Sequence, residues 1–299
     1  MTFPRAKRGT QATICVKELA TFANTLAEMP RYGDKHTKEH PMYQTLDPSE
    51  FTVFITGATS GFGQAAARRY AEAGARVIAT GRRGDRLRQL QDELGKDKCH
   101  IVELDVRDYE AMQAAIESLP APFDAINVVI ANAGLALGMQ PAAETEMSDW
   151  DTMVDTNVKG LMYTIRLLLP GLIERGGGHI VTVGSVAGDY PYAGGSVYGA
   201  TKAFVKQFAL NLRSDLQGKN VRVTNIEPGL TETEFSLVRF KGDADKAAKP
   251  YEGTQAMNAD DIVESIFWTT TLPRHVNVNR VQMMATTQAL AGFDVYRED

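Results

Sequence analysis

Tyr198 and Lys202 stand four residues apart, within Tyr198-Gly199-Ala200-Thr201-Lys202. On a helix that spacing puts both side chains on one face. An ammonium beside a phenol favours the phenolate and lowers the tyrosine pKa from its usual value of about 10. A tyrosine so placed can trade a proton near neutral pH. Ser185 lies upstream, just past a β-branched run, where its hydroxyl can hold a substrate hydroxyl or carbonyl oxygen.

A second set of residues suits a phosphate. Thr56-Gly57-Ala58-Thr59-Ser60-Gly61-Phe62-Gly63 follows one apolar run and opens a helical stretch. Glycines there let backbone N–H groups and a helix N-terminus approach a pyrophosphate. The spacing of Gly57, Gly61 and Gly63 differs from G-x-G-x-x-G, so the motif alone is a Gly-rich strand-to-helix turn. A second strand ends Thr80-Gly81-Arg82-Arg83, where an NAD-binding chain carries an acid for the ribose 2′-hydroxyl. Guanidinium groups at Arg82 and Arg83 suit a 2′-phosphate instead, which points to NADP. Asp85 reads as the N-cap of a helix beginning at Arg86.

These residues need a scaffold, and the chain alternates apolar strand patterns with amphipathic helical ones. Strands are expected at 51–56, 76–80, 101–104, 125–131, 179–183 and 221–226. Helices are expected at 64–73, 85–94, 109–119, 148–175 and 196–216, with Pro170 tolerated only near the end of the long one. Little alternation within the strands implies a sheet covered on both faces. The order implies an α/β, Rossmann-like, doubly wound parallel sheet forming a single domain over 49–299. Ser185 then falls at the carboxyl edge of the sheet, where such folds place ligands.

Residues 1–48 differ, with weak apolar periodicity and prolines at 30, 41 and 48. Arg5, Lys7 and Arg8 invite a transit-peptide reading, which Glu18 and Glu28 oppose. The segment reads as a flexible leader, or as an upstream start with Met42 the true first residue.

Composition excludes several classes. The 299 residues are 43% hydrophobic and 23% charged, with a net charge of −5. Nothing global suggests nucleic acid or an anionic membrane as a partner. Cys15 and Cys99 are too few for a disulfide scaffold, and the histidines at 36, 40, 100, 179 and 275 lack metal-ligand spacing. No apolar run approaches the ~20 residues of a membrane span. Cys99 reads as an inert, partly buried thiol bordering a strand, Trp150 and Trp268 as packing residues, and Met283-Met284 as core or interface filler.

Taken together, the glycine-rich turn at 56–63, Asp105-Val106, Asn132-Ala133-Gly134, Asn157, Ser185, Tyr198-x-x-x-Lys202 and Pro228-Gly229 resemble the short-chain dehydrogenase/reductase family, in the family's order. Longer stretches resemble its NADP-dependent 3-hydroxy acid dehydrogenases: Gly134-Leu135-Ala136-Leu137-Gly138-Met139, Tyr190-Pro191-Tyr192-Ala193-Gly194-Gly195, Glu227-Pro228-Gly229-Leu230, Thr233-Glu234-Phe235 and Val238-Arg239-Phe240-Lys241-Gly242. That group acts on serine, allo-threonine and 3-hydroxypropionate or malonic semialdehyde.

The resemblance implies roles. Tyr198 is the general acid/base, Lys202 lowers its pKa and holds the nicotinamide ribose, and Ser185 orients the substrate oxygen. Asn157 anchors a water of the proton relay. The cofactor NADP would lie against Gly57, Thr59, Ser60, Gly61, Phe62, Gly63, Arg82 and Arg83. It would continue along Asp105 and Val106 near the adenine, then Asn132, Ala133 and Gly134, and past Pro228, Gly229, Leu230 and Thr233 at the nicotinamide end. Arg239 is expected to meet the carboxylate of a small-molecule hydroxy acid or semialdehyde. No metal is required. A homotetramer is the family expectation, and the few cysteines and lack of a membrane-length apolar run make a reduced, cytoplasmic setting the default reading. Two other readings stay open: a ketoreductase for larger apolar carbonyl compounds, with the loop 135–139 lining its pocket, and a non-catalytic NADP sensor.

Overall fold

A computed structural model describes residues 44–290 and 295. The leader, apart from its last residues, lies outside the described residues, as does Cys15. Leu46 already belongs to the fold, since its N–H donates to Thr271 O at 2.7 Å and its side chain packs on the apolar core.

Seven strands form one parallel sheet: β1 (Thr52–Ile55), β2 (Arg76–Gly81), β3 (Cys99–Glu103), β4 (Val128–Ala131), β5 (Gly178–Val183), β6 (Val221–Pro228) and β7 (Arg280–Met283). Their order is β3-β2-β1-β4-β5-β6-β7, with every neighbouring pair parallel. The winding reverses between β1 and β4, which opens a crevice beyond their carboxyl ends. Six strands match the expected ones; β7 carries no sequence signal.

Both sheet faces are covered, which is why β1 and β4 read as unbroken apolar runs. Val53 and Ile55 pack with helix α1 (Gly61–Glu72), helix α2 (Gly84–Leu94) and helix α9 (Ala259–Thr271). Phe54 points the other way, into a layer with helix α5 (Gly160–Glu174) and helix α6 (Ser196–Asp215). Helix α3 (Tyr109–Glu117) flanks that layer, started by the Asp108 carboxylate accepting from Ala111 N at 2.9 Å.

Three expectations are corrected. The single long helix at 148–175 is two helices, α4 (Met147–Val154) and α5, joined by a π-helical turn at Asp155–Lys159. Pro170 lies inside α5, short of its last turn. Asp85 is not an N-cap: α2 starts at Gly84 with Arg83 in the cap position, and Asp85 sits in the first turn, where an acid suits the helix dipole. Trp268, expected to pack, is 52% exposed on α9, whereas Trp150 packs against the cluster around Tyr198. Cys99 is fully buried, and burial pushes its thiol up to about 12.

One buried cation holds the far side of the sheet. Arg222 on β6 donates to the carbonyls of Thr269, Thr270, Leu272 and Val276. The first three belong to the end of α9, which leaves them without intrahelical partners, and Val276 belongs to the segment that follows. Among the described residues, no helix is long and apolar enough to cross a membrane, and no group of His, Cys, Asp or Glu could hold a metal ion.

Candidate active site

The crevice beyond β1 and β4 is a cleft of about 330 Å³. The glycine-rich turn forms one wall. Gly57 and Gly61 adopt φ of 71° and 51°, conformations that side chains resist. A Cβ on Gly61 would project against Thr233, filling the cleft between the turn and the segment after β6. Gly63 does not line the cleft; a Cβ there would come within 2.3 Å of Gly57 O, so its role is close packing of α1 on the turn. Asn132 holds the turn from the side, its Nδ2 donating to Thr56 O at 2.9 Å and Gly57 O at 3.3 Å.

Thr59, Ser60, Phe62, Asp105, Val106, Ala133, Gly134, Pro228, Gly229 and Thr233 all line this cleft with Lys202 and Tyr198. Leu230 does not line it; its N–H is taken by Gln288 Oε1 at 2.7 Å. Asp105 is held below the usual carboxylate range chiefly by the hydrogen-bonded guanidinium of Arg107. Thr156 also lines the cleft, one residue from the predicted Asn157, and its buried hydroxyl has no partner within the protein.

The two arginines differ. Arg82 stands at the rim with its side chain 59% exposed, 4.0 Å from Asp105. Arg83 is built in: Nε and Nη2 donate to Thr59 Oγ1 at 3.0 and 2.8 Å, and Nη2 also to Ser60 Oγ at 2.8 Å. Its Nη1 meets Glu234 at 3.2 Å. Arg86, one turn further along α2, donates Nη1 to both Glu234 oxygens at 2.7 and 2.8 Å. Sequence reasoning missed Arg86 and Glu234. Arg86 was findable as the next helical turn after Arg83; Glu234 comes from 148 residues away and carries no local signal.

The three residues expected to handle the proton, Ser185, Tyr198 and Lys202, line the same cleft. Ser185 Oγ donates to Pro228 O at 3.4 Å and accepts from Ala187 N at 3.1 Å. Burial pushes Tyr198 up to about 12, the neighbouring Tyr192 phenol adds to this, and Ser185 and Arg239 oppose it. Burial also brings Lys202 down to about 8. Lys202 Nζ donates to Val183 O at 2.8 Å and stands 5.8 Å from the Tyr198 ring centre. Arg239, its guanidinium carbon 5.5 Å from the Tyr198 ring centre, works against the burial of Tyr198.

Asn157 does not line the cleft. Its buried amide clamps a loop: Oδ1 accepts from Leu135 N at 2.8 Å, while Nδ2 donates to Leu135 O at 2.8 Å and Thr201 Oγ1 at 3.1 Å. Both side-chain donors are thereby used within the protein. The π-helical turn carries this residue, a common signature of functional positions.

Arg239, at the end of helix α7 (Phe235–Arg239), sits outside the cleft's lining but beside Tyr198. Its guanidinium carbon is 5.5 Å from the Tyr198 ring centre and 5.3 Å from that of Tyr192. Leu135, Ala136, Leu137, Met153, Trp150, Val197 and Phe235 wall this end with apolar surface.

The short chain dehydrogenase family model matches residues 51–243. The chain belongs to the short-chain dehydrogenase family. An NADP-dependent 3-hydroxy acid dehydrogenase of Escherichia coli K12 is 56% identical over 247 residues, 82% of this chain and 99% of the relative. Sulfoacetaldehyde reductase 2 of Chromohalobacter salexigens is 53% identical, covering 82% and 98%. A solved structure, the closed form of serine dehydrogenase complexed with NADP+, is 55% identical with a TM-score of 0.79, covering 82% of this chain and 99% of that one. The α/β, doubly wound architecture of this chain is the one that neighbour carries.

Proposed function

We propose that the protein is an NADP-dependent oxidoreductase that interconverts a 3-hydroxy acid and its carbonyl counterpart, with Tyr198 as general acid/base. The observation that carries this is Arg239, a guanidinium set against the ring of Tyr198. It supplies a site for an oxyanion one carbon removed from the carbon that reacts. The names of the relatives agree with that chemistry, since 3-hydroxy acids, serine and sulfoacetaldehyde all carry an anionic group in that relation to the alcohol or aldehyde carbon.

The residues present fit NADP: glycine backbone that a Cβ would obstruct, an orphaned Thr156 hydroxyl, and a built-in arginine for a 2′-phosphate. Arg83, with Arg82 at the rim, would take that phosphate. The N–H groups at the start of α1 would face the pyrophosphate, and Lys202 the nicotinamide ribose. When bound, NADP supplies hydride exchange with the substrate carbon. In oxidation, Ser185 Oγ holds the substrate hydroxyl and Tyr198 removes its proton; in reduction, Tyr198 returns it. The apolar wall excludes water from that exchange. Asn157 keeps the 135 loop in place against α6, which carries Tyr198 and Lys202.

The test follows reduced-cofactor absorbance with L-serine, L-allo-threonine, 3-hydroxypropionate and a simple secondary alcohol, each with NADP and NAD. Turnover with NADP on the acids alone supports the proposal, and turnover on the neutral alcohol alone refutes it. Arg239→Ala assayed on an acid and on its methyl ester tests the anion site: a selective loss on the acid is expected, and equal losses refute the role. The apolar wall favours, as a second reading, a ketoreductase for larger carbonyl compounds; a bulky neutral ketone turned over faster than any hydroxy acid would install it. Family membership underlies the further expectation of a homotetramer, and composition that of a cytoplasmic setting, tested by light scattering and cell fractionation.

A further inference from the structure

We infer that Tyr192 is a positioning residue for the substrate's anionic group: its phenol holds the Arg239 guanidinium against Tyr198. This rests on the reading of Arg239 as the anion site. An arginine side chain has much rotamer freedom to lose, so a guanidinium that must meet a small anion reliably needs a fixed partner. The contacts of Arg239 divide unequally. Its Nε reaches Gly138 O only at 3.4 Å, a long bond, although the backbones of the two residues are tied by Gly138 N donating to Arg239 O at 2.8 Å. The strong side-chain contact is Nη2 donating to the Tyr192 hydroxyl. The guanidinium thus lies between two phenols, near both ring centres.

Tyr192 is itself seated firmly. A Cβ on Gly195 would lie 2.3 Å from Tyr192 Cζ, so the ring rests directly on the glycine that precedes α6. Tyr192 O accepts from Gly195 N at 3.2 Å, closing the turn. A Cβ on the next-door Gly194 would lie 2.3 Å from Met139 O, which fixes that turn against the 135–140 loop. Three segments far apart in sequence therefore meet at one guanidinium. Tyr192 sets how far that cation stands from the oxygen of Tyr198, and hence the spacing between the substrate's anion and its reacting carbon.

The experiment compares Tyr192→Phe and Arg239→Ala on L-serine and L-serine methyl ester, with NADP+ binding measured separately by calorimetry. Tyr192→Phe keeps the ring on Gly195 and removes only the hydroxyl. A hydrogen bond to a charged group worth about 1.5 kcal/mol corresponds to a roughly tenfold rise in KM for the acid. The ester's KM and the NADP+ affinity should stay within about twofold, a pattern that general loosening of the pocket would not give. In the Tyr192→Phe/Arg239→Ala double variant the two effects should fail to add, because they act through one guanidinium. If Arg239→Ala raises KM selectively for the acid while Tyr192→Phe leaves it within twofold, the role of Tyr192 is overturned and the anion site stands. A Tyr192→Phe effect equal on acid and ester also overturns it. If Arg239→Ala affects acid and ester alike, the reading of Arg239 falls first.

Discussion

Asn157→Ala should unfold this protein more easily by an amount the structure allows to be worked out. The amide makes three buried hydrogen bonds, two of them to the N–H and C=O of Leu135. Removing it strands both backbone groups, because Leu135 is itself buried and cannot turn them to solvent. Each stranded group costs about 1–3 kcal/mol, and water admitted to the vacated space recovers part of that. A net loss of about 3 kcal/mol is expected. For a domain of this size, 1 kcal/mol corresponds to roughly 2–4 °C in Tm, so the midpoint should fall by roughly 6–12 °C. Thr201→Val removes the third partner together with the Thr201 Oγ1 donation to Tyr198 O at 2.8 Å, and should cost about 1–2 kcal/mol. The two losses should fall short of additivity in the double variant, since they share one bond. Scanning calorimetry at fixed protein concentration reads all three. An Asn157→Ala midpoint within 2 °C of the parent, or full additivity with Thr201→Val, would refute the clamp and return the side chain to the water-anchoring role implied by resemblance.

Tyr198→Phe should lower kcat by about 10²–10⁴-fold in both directions while NADP+ affinity stays within a few-fold, measured by steady-state rates and calorimetry. Arg83→Ala should weaken NADP+ by roughly 10–100-fold and leave NAD+ nearly unchanged, with a smaller effect for the rim residue Arg82, read from paired titrations. Glu234→Gln removes the carboxylate shared by Arg83 and Arg86, so amide hydrogen exchange across 231–239 should accelerate in the protein without added ligand; unchanged exchange would show that the ion pair does not hold this segment. His179 is fully buried, with Nε2 on Thr224 Oγ1 at 2.8 Å, and burial, together with Arg222, holds its pKa well below the ordinary value. The unfolded chain therefore binds a proton that the fold refuses once pH drops below about 6.5, and stability should fall by about 1.4 kcal/mol per pH unit there. Above that pH His179 is neutral in both states and contributes no slope. His179→Gln should flatten the slope of the urea midpoint between pH 7 and pH 5.

The sequence by itself determined whatever is local. Strand patterns in β1 and β4 are unbroken because both sheet faces are covered, so their composition betrays their place. The glycine-rich turn and the Tyr198–Lys202 spacing are legible because a phosphate cradle and a helix face are made by neighbours in the chain. Tertiary structure alone decided the rest. It split the expected helix at Asp155–Lys159 and turned the Asn157 amide onto Leu135. β7 stayed silent because it is four residues long, with alternating exposure and polar positions at Arg280 and Gln282. Arg82 and Arg83 look equivalent as letters, yet only Arg83 is drawn in by Thr59, Ser60 and Glu234. Arg239 reaches Tyr192 across 47 residues and Glu234 reaches Arg86 across 148. A charged side chain writes no periodicity and no turn signal into the sequence; its partner is chosen by where the sheet edge brings distant loops together.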